Sequence, residues 1–309
     1  MTPASLTPNR RRLGRTVTTR AAEAVLRALI YICGWLCIVI LLAIAAFLVY
    51  NSVRSLREAG LTTMLSGMQW YPTSDPGRFG LAPLVVGSLL VTAVALALAV
   101  PVGIAAAVYI SEFSGGAVKE VSKSVIEFLA AVPSVVYGLI GVAVLIPAVK
   151  DSFGLSSGMT ALTGGIVLGI MSIPTVISIS EDALHAVPVE LRQGSAALGN
   201  TRWQTTYKVT VPAASSGIFA SVMLGLGRAI GETMAVLMLT GNAAVMPHGV
   251  LESVRTMTGT IAAEMGEVVQ GGLHYSVLFT VGLVLFAITF GINLAADLVL
   301  ERQQRRWRR

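Results

Sequence analysis

One segment of this sequence carries charge where its neighbours carry none. Gly225-Leu226-Gly227-Arg228-Ala229-Ile230-Gly231-Glu232-Thr233-Met234-Ala235-Val236 sets an arginine and a glutamate four residues apart inside an apolar run over about 209–241. A charged side chain at the centre of a membrane helix costs roughly 2.5–3.5 kcal/mol on insertion scales, so a segment that keeps two of them has a use for them. Read as one continuous helix, residues four apart are offset by only about 40°. Arg228 and Glu232 then share a small, polar face with Ser221, Gly225 and Ala235, while Leu224, Ile230, Met234 and Leu237 are bulky. Such a face lets another helix approach closely or leaves space for a solute. A guanidinium in that space suits an oxyanion, because it offers a planar fork of donors. Arg228, Glu232, Ser221, Gly225 and Thr233 are therefore the candidate pathway residues. The competing reading is a buried salt bridge that only packs helices, an arrangement that apolar residues often replace without loss of stability.

A second segment, 181–212, is too structured for a plain linker. Pro188 suits a first helical position, Glu190 the positive end of a helix, and Gly199 a helix stop. Thr201 and Gln204 have the spacing of a capping box. The segment is expected to fold as two short helices around a Gly199-Asn200 turn. Leu191, Ala196, Ala197, Leu198 and Trp203 give it an apolar side. Helices of about ten residues are marginal alone. They pack on the chain's own membrane helices or dock into another protein.

These segments sit in a chain built for a bilayer. Of 309 residues, 54% are hydrophobic and 12% charged, against about 25% charged in soluble domains. Runs at 28–53, 81–111, 128–149, 152–180, 209–241 and 268–296 each exceed the roughly 20 residues that span a membrane as helix. Strands of a barrel would be about half as long and alternate in polarity. The sequence thus predicts an all-α polytopic protein with six transmembrane helices. Its parts are a basic N-tail at 1–27, a first helix at 28–53, an extracytoplasmic loop at 54–80, a five-helix core at 81–299 and a basic C-tail at 300–309. Trp70 and Tyr71 in the outer loop are expected as interfacial aromatics. The first apolar run is too long for a signal peptide and is expected to be retained.

With the N-terminus inside, 16 of the 22 Lys and Arg fall in inner segments, five in outer ones, and the last is Arg228. That bias predicts both termini in the cytoplasm. The net charge of +6 needs no nucleic acid, since basic tails beside membrane helices set topology and touch anionic lipid. Cys33 and Cys37 read as small apolar filler. His185, His248 and His274 lie in separate segments without ligand spacing, so no metal site is expected. No Gly-Lys dipeptide occurs, and a Walker A loop needs one. No nucleophile stands beside a base, which argues against an intramembrane enzyme.

The loop also carries a resemblance. Gln193-Gly194-Ser195, Ala196-Ala197-Leu198 and Gly199, followed nine residues on by Val209-Thr210-Val211-Pro212, resemble the cytoplasmic coupling loop of ABC importer permeases. Gly199 and Pro212 keep the spacing, while Gln-Gly-Ser replaces the usual Glu-Ala-Ala. The run from Gly225 to Val236 is similar to the intramembrane signature of phosphate-specific importers, and its Thr-Met-Ala-Val ending resembles the PstC type. Phe79-Gly80-Leu81-Ala82-Pro83-Leu84-Val85-Val86-Gly87-Ser88 resembles the start of that type's second helix. The resemblance covers about 79–296. It implies a type I ABC permease fold in the bacterial inner membrane and a pathway shared with a homologous permease of PstA type. It also implies cytoplasmic PstB-type ATPase subunits that bind ATP and Mg and an extracytoplasmic PstS-type phosphate-binding protein; this chain would hold no cofactor. Glu232 would then either hold Arg228 until the anion arrives or accept a hydrogen bond from protonated phosphate, which would disfavour fully ionised sulfate. A sulfate or molybdate permease and a proton-coupled secondary carrier using Glu232 remain the alternatives.

Overall fold

The computed structural model describes residues 17–307; the parts of the basic tails at 1–16 and 308–309 lie outside the described residues. In chain order the elements are α1 (Val17–Glu58), α2 (Leu61–Ser66), a hairpin of β1 (Trp70–Tyr71) and β2 (Arg78–Phe79), α3 (Ala82–Val108), α4 (Gly116–Ala131), α5 (Ser134–Ile140), α6 (Ile146–Phe153), α7 (Ala161–His185), α8 (Val189–Ala197), α9 (Arg202–Thr205), α10 (Val211–Ala213), α11 (Ser215–Ile230), α12 (Met234–Leu239), α13 (Met257–Glu264) and α14 (Leu273–Trp307). Short π-helical turns at Tyr109–Phe113, Gly141–Leu145 and Thr206–Thr210 join α3 to the next loop, α5 to α6 and α9 to α10.

Five stretches are long and apolar enough to cross a membrane: Glu23–Glu58, Ala82–Phe113, Ser134–Phe153, Ala161–His185 and Leu273–Leu298. A sixth forms if Arg202–Ala213 and Ser215–Ile230, bent by 69° at Ala214, make one broken span. Against the six spans expected, the described residues hold five, or six with the bent pair counted as one. Two of the expected runs are cut by local signals. The run 128–149 is cut at Pro133, because proline disfavours the α conformation in the residue before it; Val132 is extended at φ −65°, ψ 128°. Phe128 to Ala131 therefore end α4, which also takes in most of the segment between the runs 81–111 and 128–149. The run 152–180 is likewise divided, since Gly154 stops α6 at φ 63° and Thr160 caps a new helix through the Thr163 amide.

The chain divides into two compact units, Met1–Leu48 and Val49–Arg309. Along the first, α1 exposes apolar side chains on all sides, among them Ile30, Tyr31, Trp35 and Leu42, as a helix in contact with lipid does. In the second, α7 is central: 61% of its apolar window is buried, against 28% for the windows of α3 and α14. Gly165 and Gly169 bring it against α3, since a Cβ at either would lie 2.5 Å from Val94 or 2.9 Å from the Ala95 carbonyl. Val91, Ala95, Leu168, Ala229 and Val236 form one apolar core between α3, α7, α11 and α12.

At the hairpin end, Trp70 is 2% exposed, so it is a core residue and not the interfacial aromatic its sequence position suggests. It packs with Met64, Leu81, Met257 and Leu278. Its Nε1 donates to Glu264 Oε1 at 3.0 Å. Glu264 also pairs with Arg255 at 2.8 Å and His274 at 2.8 Å, tying the hairpin, the loop before α13 and α14 together. Glu264→Gln is expected to destabilise the folded chain by about 2 kcal/mol, the scale of a hydrogen-bonded charge left without its partner. A thermal melt in detergent checks this, and an unchanged midpoint would deny the knot its structural role.

Candidate functional site

The expected single helix around Arg228 is two helices. α11 ends at Ile230, Gly231 to Thr233 leave the helical path, and α12 starts at Met234. Glycine is weak in a helix interior, and the interruption is held by a neighbour: Thr258 Oγ1 donates to the Glu232 carbonyl at 2.9 Å. Backbone of this kind at membrane depth survives only where protein or a water-lined cavity satisfies it. Arg228 and Glu232 therefore do not share one helix face, which corrects the reading of a continuous helix.

Nor do they pair with each other among the described residues. Arg228 Nη1 donates to Thr175 Oγ1 on α7 at 3.1 Å. Glu232 Oε1 accepts from the Ala235 amide at 3.3 Å, which places its carboxylate at the favourable positive end of α12. Both side chains are half-buried, as is Thr233. Beside Glu232 lies a void of about 10 Å³ edged by Ser88, Thr92, Thr256 and Thr258, close to the space one water needs.

Ser221 and Gly225 have a different setting. They are buried in a seam between α11 and α7. A Cβ on Gly217 would come within 2.3 Å of the Ala183 Cβ, and one on Gly225 within 2.9 Å of Val176 Cγ2; Ser221 Oγ lies 2.7 Å from Ser180 Oγ. The three positions recur every four residues, as one face of a helix requires. The small face seen in the sequence thus brings α11 onto α7, and Arg228 lies at the end of that seam. Leu224, Gly227, Gly231 and Met234 are exposed, so the guanidinium stands between a packed face and an open one. Gly217→Leu is expected to part the seam and cost about 1–3 kcal/mol or more; recovery of monodisperse protein after extraction reports it, and a normal yield would contradict the packing.

The 181–212 segment folds as expected, with α8 and α9 around a turn in which Gly199 has φ 80°. The Thr201–Gln204 capping box is present. Pro188 is the cap preceding α8, one position earlier than expected. The base is fixed to the membrane helices. Arg192 reaches Glu112 at 2.9 Å and the Leu184 and Val187 carbonyls at 2.7 and 2.9 Å. Lys119 and Lys123 flank Glu181 at 3.0 and 2.8 Å, and the hydrogen bond to Glu181 raises the Lys123 ammonium above its ordinary pKa. Ser195 is buried, bonded to Thr205 and Asn200, and Pro212 is half-buried. Gln193, Gly194, Ala196, Ala197, Leu198 and Gly199 are exposed, as are Leu191 and Trp203. Leu198, 84% exposed, does not pack on the chain's own helices, whereas the Trp203 ring lies 6.0 Å from that of Phe113 at the end of the second span.

Thr175 and Thr258 were not singled out in the sequence. The signal for Thr175 was a hydroxyl following Pro174 within an apolar helix; nothing local marks Thr258, which reaches Glu232 from 26 residues away.

Comparison with known proteins agrees with this architecture. The family described as "Binding-protein-dependent transport system inner membrane component" matches residues 99–309. The "Probable ABC transporter permease protein YqgH" of Bacillus subtilis (strain 168) is 38% identical over 266 residues, covering 85% of this chain and 86% of the relative. The "Phosphate transport system permease protein PstC" of Mesorhizobium japonicum is 32% identical over 313 residues, covering 94% of each. A solved bacterial alginate ABC transporter, in complex with an alginate pentasaccharide-bound periplasmic protein, superposes with a TM-score of 0.62 at 13% identity over 91% of this chain and 96% of that one, a likeness of fold. With two thirds of its length inside the family match and helices built for a bilayer, this multi-pass chain belongs to the inner-membrane components of binding-protein-dependent transport systems.

Proposed function

We propose that this chain is a membrane permease subunit of an ATP-driven ABC importer and that it carries inorganic phosphate into the cytoplasm. The observation that carries the reading to a site is the half-buried Arg228 guanidinium, without a carboxylate partner among the described residues and set where α11 gives way to α12. Interrupted helices mark solute sites in transporters, where non-helical backbone meets a cavity. A guanidinium with most of its five N–H groups available binds a phosphate oxygen pair. Relatives that carry the name PstC support phosphate as the solute.

In this reading Arg228 faces the pathway near the midplane, with Glu232 and Thr233 at the break. The open face of Leu224, Gly227, Gly231 and Met234 meets a homologous PstA-type permease, which completes the pathway. Both termini lie in the cytoplasm. PstB-type ATPase subunits bind ATP and Mg and engage Gln193 to Gly199, and Pro212 fixes where the coupling segment rejoins the membrane. A PstS-type protein delivers phosphate from outside. ATPase closure moves α8 and α9, and Arg192, through its ion pair with Glu112 and its bond to the Leu184 carbonyl, passes that motion to the ends of α3 and α7. The test is ATP-dependent uptake of labelled phosphate in vesicles holding all subunits, with sulfate or molybdate as competitors. Phosphate uptake that resists a large excess of both is expected. Uptake blocked by either would move the chain to the sulfate and molybdate branch.

A further inference from the structure

Threonines in the membrane helices commonly hide their hydroxyl against their own backbone. Thr92, Thr280 and Thr289 each donate Oγ1–H to the carbonyl four residues earlier, at 2.8, 3.2 and 2.9 Å, the usual arrangement in an apolar helix. Thr175 differs. Its Oγ1 accepts from Arg228 Nη1 at 3.1 Å, and its own proton has no acceptor among the described residues. The side chain is half-buried, directly after Pro174 and beside Val176, the residue against which Gly225 brings α11 close. The seam between α7 and α11 therefore fixes the register of Thr175 and Arg228.

Resting on the phosphate-permease reading, we infer that Thr175 is the second donor of the anion site, accepting from the guanidinium and turning its proton toward the oxyanion that Arg228 binds. Three physical points carry this. A hydroxyl that accepts from a cationic donor becomes a better donor itself, because hydrogen bonds in a chain polarise one another. Anchoring one N–H of the guanidinium leaves the others in a fixed fork, so less freedom is lost when the anion arrives. The side chain is only half-buried, so its free proton stays accessible to an incoming anion. Since phosphate and sulfate both accept from a hydroxyl, Thr175 governs how fast the site turns over and not which of the two it takes.

Thr175→Val keeps the shape and removes the hydroxyl, while Thr175→Ser keeps the hydroxyl. In proteoliposomes holding the complete transporter and phosphate-loaded binding protein, rates are taken per assembled complex. Phosphate turnover is expected to fall about tenfold or more in Thr175→Val, the scale of one lost hydrogen bond to a charged group. It should stay within about twofold of wild type in Thr175→Ser. Wild-type turnover in Thr175→Val would overturn the assignment. Equal losses in both variants would overturn it as well, because packing of the methyl group would then be what matters. If Thr175→Val does not assemble, Thr175→Ala is read against Thr175→Ser in the same way. A wild-type complex that moves no phosphate would instead defeat the functional reading and leave the hydrogen-bond geometry as a packing contact.

Discussion

Arg228→Gln is expected to cut phosphate uptake by about a hundredfold or more while the chain folds and assembles normally. Losing a charged, desolvated contact to an anion costs roughly 2–5 kcal/mol, and each 1.4 kcal/mol is a factor of ten. The structure separates this outcome from the simpler one. Were Arg228 half of a buried ion pair, removing it would strand Glu232 and destabilise the fold by about 3–5 kcal/mol. Among the described residues Arg228 instead bonds to a neutral hydroxyl, at 3.1 Å, and to no carboxylate, and Glu232 is held by the Ala235 amide. Uptake and thermal midpoint measured on the same preparation distinguish the two. Lost uptake with an unchanged midpoint is the expected result; retained uptake with a lowered midpoint would return Arg228 to a structural role.

Leu198→Asp is expected to uncouple the transporter. Leu198 is 84% exposed at the end of α8, on a turn fixed by Gly199 at φ 80°. It makes little contribution to the chain's own core, so a charge there leaves the fold intact. Against an ATPase groove the same charge meets desolvation, and a central apolar contact of this kind is worth about 2 kcal/mol or more. Stimulation of ATP hydrolysis by phosphate-loaded binding protein should fall about tenfold or more, and uptake should fall with it. Wild-type stimulation would place the ATPase contact elsewhere on the chain.

Much of this was legible in the residue order. Apolar runs longer than a bilayer's width locate the spans, and the Thr201–Gln204 capping box appears where its spacing places it. What the order concealed depends on contacts between distant segments. A periodic reading takes Gly231 to Thr233 as helix, because the break there is held by Thr258 through a hydrogen bond across 26 residues. Periodicity groups Ser221 and Gly225 with Arg228, but it cannot tell a face lining a pathway from a face packed on α7. Trp70 looks interfacial because its neighbours are polar, yet Glu264 and the apolar ends of α3 and α14 bury it. Pro133 was legible, since proline's effect on the preceding residue is local, but an uncharged run reads as unbroken when only charge is counted.

The most direct measurement is uptake of labelled phosphate into proteoliposomes holding this chain with its permease partner, ATPase and binding protein, driven in turn by ATP alone and by a proton gradient alone. Uptake with ATP and none with the gradient is predicted. Uptake driven by the gradient without ATP, and lost in Glu232→Gln, would contradict the account and make the chain a proton-coupled carrier.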